Sequence, residues 1–80
     1  MVKLIKPVFS SRFKKQYKKL PKNIQSKFTK QLQFLIENYR HPSLRTKKMT
    51  GKNSFEARID RQYRLTFEIE KDSVFLRTIG

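Results

Sequence analysis

Two arginines, Arg58 and Arg64, are the side chains of this sequence best suited to chemistry. They lie in residues 54–70, SFEARIDRQYRLTFEIE, where apolar and polar residues alternate in two runs. Phe55, Ala57 and Ile59 alternate with Glu56, Arg58 and Asp60; Tyr63, Leu65, Phe67 and Ile69 alternate with Arg64, Thr66, Glu68 and Glu70. A period of two gives each strand one apolar and one polar face. With the apolar faces packed inward, both guanidinium groups emerge on the same outer face and form a permanently charged site for phosphate oxygens. Such a site suits cleavage of RNA without a metal. The substrate's own 2′-hydroxyl attacks, and the protein orients it and stabilises the charge that develops on the phosphorane. Glu56, Asp60, His41 and Tyr63 are the candidates for general acid and base. Glu56, Glu68 and Asp60 could equally pair with the arginines across the hairpin, which is the structural alternative.

Other chemistries find little support. A single histidine, no cysteine and scattered acids offer no metal site, and no cofactor is expected. Gly51 and Gly80 are the only glycines, so there is no glycine-rich phosphate loop. His41 precedes Pro42 at a helix end, where its charge is expected to favour the C-terminal carbonyls.

The charge balance points to the partner. Twenty lysines and arginines against six acids give a net charge of +14, and every acid lies at Glu37 or later. So one-sided a balance implies a polyanionic partner: nucleic acid, an anionic membrane or an acidic protein. Residues 40–53, RHPSLRTKKMTGKN, are basic without one acid and read as a loop from Pro42, Gly51 and the lack of period, pinned to the body by Leu44 and Met49. Lys47, Lys48 and Lys52 from this loop, Arg61 from the hairpin turn and Arg77 from the last strand are the candidate RNA-binding residues. Eighty residues make one small domain, 1–80. The absence of cysteine fits the cytoplasm. No apolar run approaches the roughly 20 residues of a membrane span, and residues 2–8 are too short for a signal peptide.

The elements that must position these residues follow in order. Val2 and Leu4 alternate ahead of Pro7, which predicts a short strand ending near that proline. Phe9, Phe13, Tyr17 and Leu20 share one helical face, with Ser10 or Ser11 as N-cap and Arg12, Lys14, Lys15, Lys18 and Lys19 opposite. Pro21 ends that helix and opens the next, on which Ile24, Phe28, Leu32, Leu35, Ile36 and Tyr39 form four apolar turns. The two helices form a hairpin able to cover one side of a sheet. For the strand pair at 54–70, either a two-residue turn or a bulged three-residue loop fits residues 60–62. Residues 73–79, SVFLRTI, are a last strand apolar on both faces, so the side taken by Arg77 stays open. The expectation is an α+β fold of order β-α-α-β-β-β, an antiparallel sheet with the helix pair on one face.

Taken together, the basic helical hairpin ending near an HP step, LRTKKMTG, FEARIDRQYRLTFEIE and SVFLRTIG resemble the RelE/ParE superfamily of toxins from toxin–antitoxin systems. The resemblance covers nearly the whole chain. It implies a twisted antiparallel sheet with both helices on one face, and a cognate antitoxin that contributes an acidic, partly disordered segment. In RelE-like members it implies a ribosome-dependent endonuclease acting on mRNA; in ParE-like members it implies inhibition of DNA gyrase. In the nuclease branch, the basic residue before the hairpin turn matches Arg58 and the arginine of a YRL-type motif matches Arg64, both tied to phosphate binding and transition-state stabilisation. Lys48 and Lys52 are looser counterparts of the branch's lysines. Relatives continue past the final glycine with a short tail bearing a histidine, arginine or tyrosine that joins the site. This sequence ends at Gly80, so RNA binding is expected ahead of catalysis.

Overall fold

The computed structural model describes residues 6–51 and 54–80. Its elements are β1 (Lys6–Phe9), α1 (Ser11–Lys18), α2 (Lys22–Glu37), a single 3-10 turn (Pro42–Leu44), β2 (Lys47–Lys48), β3 (Ser54–Arg58), β4 (Arg64–Glu70) and β5 (Ser73–Ile79). The five strands form one sheet in the order β1-β5-β4-β3-β2. The architecture is α+β, two helices and a sheet around one core.

The helices form where the apolar period placed them. Ser10 is the N-cap of α1; its Oγ accepts from the Phe13 N–H at 3.0 Å, taking up one of the donors a helix start leaves unpaired. Phe9 therefore falls before the cap, in β1, and not on the helix. The helix ends at Lys18, and Gln25 Nε2 from α2 donates to the carbonyls of Tyr17 and Leu20, tying the link between the helices. Pro21 stands at the N-cap of α2. Phe13, Leu20, Ile24, Phe28 and Leu35 meet Phe55, Ala57, Ile59, Leu65, Phe67, Val74, Leu76 and Ile79 in the core. These are the apolar positions of the two periods, and their burial at roughly 25 cal/mol per Å² of apolar surface is what holds so small a domain together.

The structure departs from the sequence reading in four places. The sheet is mixed, because β1 runs parallel to β5 while the other pairs are antiparallel. Pro7 lies inside β1, which is tolerated because that strand is an edge with one neighbour only; the expected strand residues 2–5 lie outside the described set. Residues 40–53 are not merely a loop. Leu44 is buried as expected, but Lys47–Lys48 pairs with β3 as a fourth antiparallel strand, too short and too polar to show a period. Met49 does not pin this segment: it is 39% exposed, and the segment is held by its backbone N–H to Ser54 O. Tyr39 lies past the end of α2, since the chain leaves the helix at Asn38.

The side of the last strand is settled by a bulge. Phe67 faces Leu76 and Thr66 faces Thr78, so Arg77 is the extra residue. Val74, Leu76 and Ile79 thereby all point into the core, although 76 and 79 break a strict period of two. Ser10 stitches the bulge to the helix cap, its N–H donating to Leu76 O and its Oγ to Arg77 O.

Candidate functional site

The outer face of the sheet is a grid whose rows follow from the strand registers. In one row Arg58 of β3 directly faces Arg64 of β4, and Arg64 in turn exchanges two backbone hydrogen bonds with Gly80, so the end of β5 stands beside it. In the next row Lys47, Glu56, Thr66 and Thr78 stand across β2, β3, β4 and β5. A third row carries Ser54, Glu68 and Phe75, continued by Val8 of β1. Inward neighbours in every row are core residues, so the polar side chains are left on the surface.

Arg45, Lys47, Glu56, Arg58 and Arg64 line one shallow cavity of about 220 Å³ on this face. Two guanidinium groups at directly opposed positions repel one another. That juxtaposition is tolerable because both are solvated and because Glu56 Oε1 accepts from Arg64 Nη1 at 3.3 Å. This ion pair is not a buried clamp: the Arg64 side chain is 51% exposed and the Glu56 side chain 31%. Among the described residues no carboxylate lies within ion-pair distance of Arg58. The cavity thus holds four cations around one carboxylate, an arrangement suited to a phosphate.

Local structure sets each member. Arg45 ends the 3-10 turn with φ 48° and ψ 47°, in the left-handed region that a side chain other than glycine enters at a cost of order 1 kcal/mol. This residue turns the chain from the 3-10 segment into β2 and lines the cavity, and only the basic character of its loop hinted at it. Arg58 is held from behind. Gln31 of α2, 9% exposed and the one buried polar side chain among the described residues, donates from Nε2 to Arg58 O at 2.8 Å and to Ser43 O at 3.1 Å. It occupies an apolar-face position between Phe28 and Leu35, so its polarity was the signal available in the sequence.

The hairpin turn is a bulged loop. The N–H groups of Ile59 and Asp60 both donate to Tyr63 O, and Asp60 Oδ1 accepts from the N–H groups of Gln62 and Tyr63. These two backbone donors, with Lys27 at 3.5 Å adding a smaller attraction, hold the Asp60 carboxyl below the usual range. Asp60 is therefore engaged by the turn and by α2. Tyr63 packs against the core. His41 caps the 3-10 turn, but not by its charge on helix carbonyls: Nδ1 accepts from Ser43 N–H at 3.1 Å while the ring stacks on Phe34, which requires that nitrogen to be unprotonated.

Of the expected RNA-binding residues, Lys47 joins the arginine cavity. Lys48 does not: register places it beside inward-facing Phe55, and it lines a separate depression with Tyr39, Arg40 and Thr46. Arg61 is exposed at the hairpin tip. Arg77 lies on the outer sheet face but in another depression, beside Arg12, and pairs with Glu68 at 3.0 Å. Lys52 lies outside the described residues. Among the described residues no three histidine, cysteine, aspartate or glutamate side chains gather as metal ligands, and no helix is long and apolar enough to cross a membrane.

Residues 8–80 match the family described as the ParE toxin of type II toxin–antitoxin system, parDE. The chain belongs to that family, within the RelE/ParE superfamily. It is a toxin of a type II toxin–antitoxin system. Solved structures share the fold of this ParE-family chain. The RelE–RelB complex from Pyrococcus horikoshii OT3 superposes with a TM-score of 0.83 at 15% identity, covering 100% of this chain and 94% of that one. The intact E. coli RelBE toxin–antitoxin complex gives 0.80 at 22%, covering 95% and 94%. The YoeB/ParE toxin from Agrobacterium tumefaciens gives 0.82 at 10%, covering 94% and 95%. No curated protein sequence matches the chain.

Proposed function

We propose that this toxin arrests translation as a ribosome-dependent mRNA endonuclease, working without a metal or other cofactor. One observation carries the reading: Arg58 and Arg64 face each other across β3 and β4 on an exposed sheet face, in a cavity shared with Arg45 and Lys47. Four cations gathered in one depression can hold a phosphodiester and compensate the charge gained as its phosphorus becomes five-coordinate. The site would act in the cytoplasm on mRNA within the ribosome.

The partner under this reading is an antitoxin with an acidic, partly disordered segment. The toxins named RelE in the P. horikoshii and E. coli structures occur in complexes with RelB, which supports it. A groove of about 480 Å³ between the helices is lined by Phe9, Phe13, Tyr17, Phe28 and Leu32, with Lys14 and Lys18 at its rim. An amphipathic acidic segment folding on this groove would bury apolar surface and neutralise the lysines together.

The second reading is inhibition of DNA gyrase, favoured by the ParE description of the matching family. A basic RNA- or ribosome-binding module without catalysis is the third. Primer extension on mRNA from a reconstituted translation reaction, run beside a gyrase supercoiling assay, separates them. Discrete new 5′ ends with normal supercoiling support the endonuclease. Loss of supercoiling with intact mRNA supports the gyrase reading, and arrest with both intact supports the binding module.

A further inference from the structure

The cavity that carries the cations also holds a carboxylate. Four acid–base candidates stand in the sequence, and three are committed elsewhere. Asp60 Oδ1 is taken by two turn N–H groups and its Oδ2 faces Lys27. His41 spends Nδ1 on the 3-10 turn and its ring on Phe34. Tyr63 is packed against the core. Glu68, the other carboxylate on this part of the face, is occupied by Arg77 and Ser54. Glu56 is left: it is the one carboxylate among the described residues that lines the arginine cavity.

Resting on the endonuclease reading above, we infer that Glu56 is the general base that takes the proton from the attacking 2′-hydroxyl. Register puts its side chain between Lys47 and Thr66, one row from Arg58 and Arg64. Residues two apart on a strand are about 7 Å apart, so Glu56 and Arg58 can converge on one phosphodiester and the ribose that precedes it. Only Oε1 is engaged among the described residues, by Arg64, and the second oxygen is left to accept a proton. The bond to Arg64 orients the carboxylate as it holds the guanidinium. Arg45, Lys47, Arg58 and Arg64 offset the repulsion that a carboxylate would otherwise exert on a phosphate.

The step balances without an added reactant. The 2′-hydroxyl proton passes to Glu56 as the 2′-oxygen bonds to phosphorus. The bond from phosphorus to the 5′-oxygen breaks, and that oxygen takes a proton from water, leaving a 2′,3′-cyclic phosphate and a 5′-hydroxyl. The hydroxide left in solvent recovers the proton held on Glu56.

The test compares the full chain with Glu56→Gln and Glu56→Asp on ribosomes programmed with mRNA. Two quantities are read: the single-turnover cleavage rate, and the affinity for the same complex with a 2′-deoxynucleotide at the cleaved position. Gln keeps the shape and the acceptor for Arg64 but cannot take the proton. The expected result is a rate lowered about 10²- to 10³-fold, the range of a lost general base, with affinity for the uncleavable complex unchanged or higher. Asp should recover part of the rate. Retained affinity also reports that the variant is folded. Cleavage by Glu56→Gln within about threefold of wild type, far below a general base's contribution, would overturn the assignment and leave Glu56 as a tether for Arg64. A parallel loss of rate and affinity would overturn it too, as a structural effect. Absence of cleavage by the wild-type chain, with gyrase inhibited or only binding seen, would overturn the endonuclease reading and this inference with it.

Discussion

A surface arginine and a turn aspartate illustrate how differently single residues act in this toxin. Arg64 is half exposed and meets one carboxylate oxygen, so Arg64→Ala should change stability by less than about 1 kcal/mol, as for exposed ion pairs. Its loss should still weaken RNA binding, and Arg64→Lys should restore only part, because an ammonium cannot reproduce the planar two-pronged contact. Equilibrium unfolding and RNA titration on the same samples check both statements. Asp60 works through the fold. Its carboxyl is held low by the Gln62 and Tyr63 N–H groups and by Lys27. A depressed folded-state value means that its contribution is complete above the unfolded value, about 3.9, and is lost as pH falls through the folded value. Asp60→Ala should therefore lower Tm at pH 7, and the deficit relative to wild type should shrink as pH drops below about 4. A deficit that stays constant down to pH 2, well under any ordinary carboxyl value of about 3.9, would show that the turn does not depend on the ionised carboxylate. Arg45 reverses the balance seen at Asp60: its left-handed backbone costs the fold a little while its charge serves the cavity. Arg45→Gly should keep stability within about 1 kcal/mol and reduce the salt dependence of RNA binding.

Among the elements, α2 reaches the site through Gln31. Gln31→Leu removes the donor to two carbonyls at once and should cost about 1–3 kcal/mol, the range for polar groups left unpaired on burial. Because those carbonyls belong to Ser43 and Arg58, the substitution should also loosen the cavity and weaken RNA binding beyond what the stability loss explains. Affinity measured well below the variant's Tm tests this. The two helices and the pair β3–β4 were legible in the sequence because each element carries a regular period: Phe13, Tyr17 and Leu20, then Ile24, Phe28, Leu32 and Leu35, in steps of three and four; Phe55, Ala57 and Ile59, then Tyr63, Leu65 and Phe67, in steps of two. Arg58 and Arg64 followed from that period alone, since alternation fixes which side of a half-buried strand faces water. Three features were not legible, for reasons of scale. Lys47–Lys48 is too short to display alternation, and its pairing rests on backbone bonds that any residue makes. The parallel alliance of β1 with β5 joins segments more than sixty residues apart and leaves no local mark. After Val74 and Leu76, the Arg77 bulge moves the next inward position from Thr78 to Ile79, which a reading by twos from Leu76 does not anticipate. Arg45 and Gln31 were missed because their roles depend on a backbone angle and on a carbonyl twenty-seven residues away.

The molecule as a whole is a segregated charge distribution on a small core. Helix α1 presents Lys14 and Lys18 at the groove on the helix side of the sheet, while the arginine cavity lies on the outer face, where Arg12 joins Arg77 in a separate depression. The two faces can therefore serve different polyanions. RNA binding should fall with salt at a slope of about −0.7 per phosphate neutralised on a single strand, and affinity flat between low and moderate salt would remove the polyanion account. Adding an acidic antitoxin segment should raise Tm with the logarithm of its concentration once that exceeds Kd, since a ligand of the native state alone stabilises by mass action. The account stands or falls on the outer sheet face, however, and one measurement reaches it directly. Single-turnover cleavage of mRNA on programmed ribosomes, followed for wild type and for Arg64→Ala confirmed as folded by its unfolding curve, isolates the charge stabiliser from the scaffold. The account predicts cleavage by the wild type and a loss of about 10²- to 10³-fold in the variant, as for other preorganised stabilisers of transition-state charge. Equal cleavage by both proteins would contradict it.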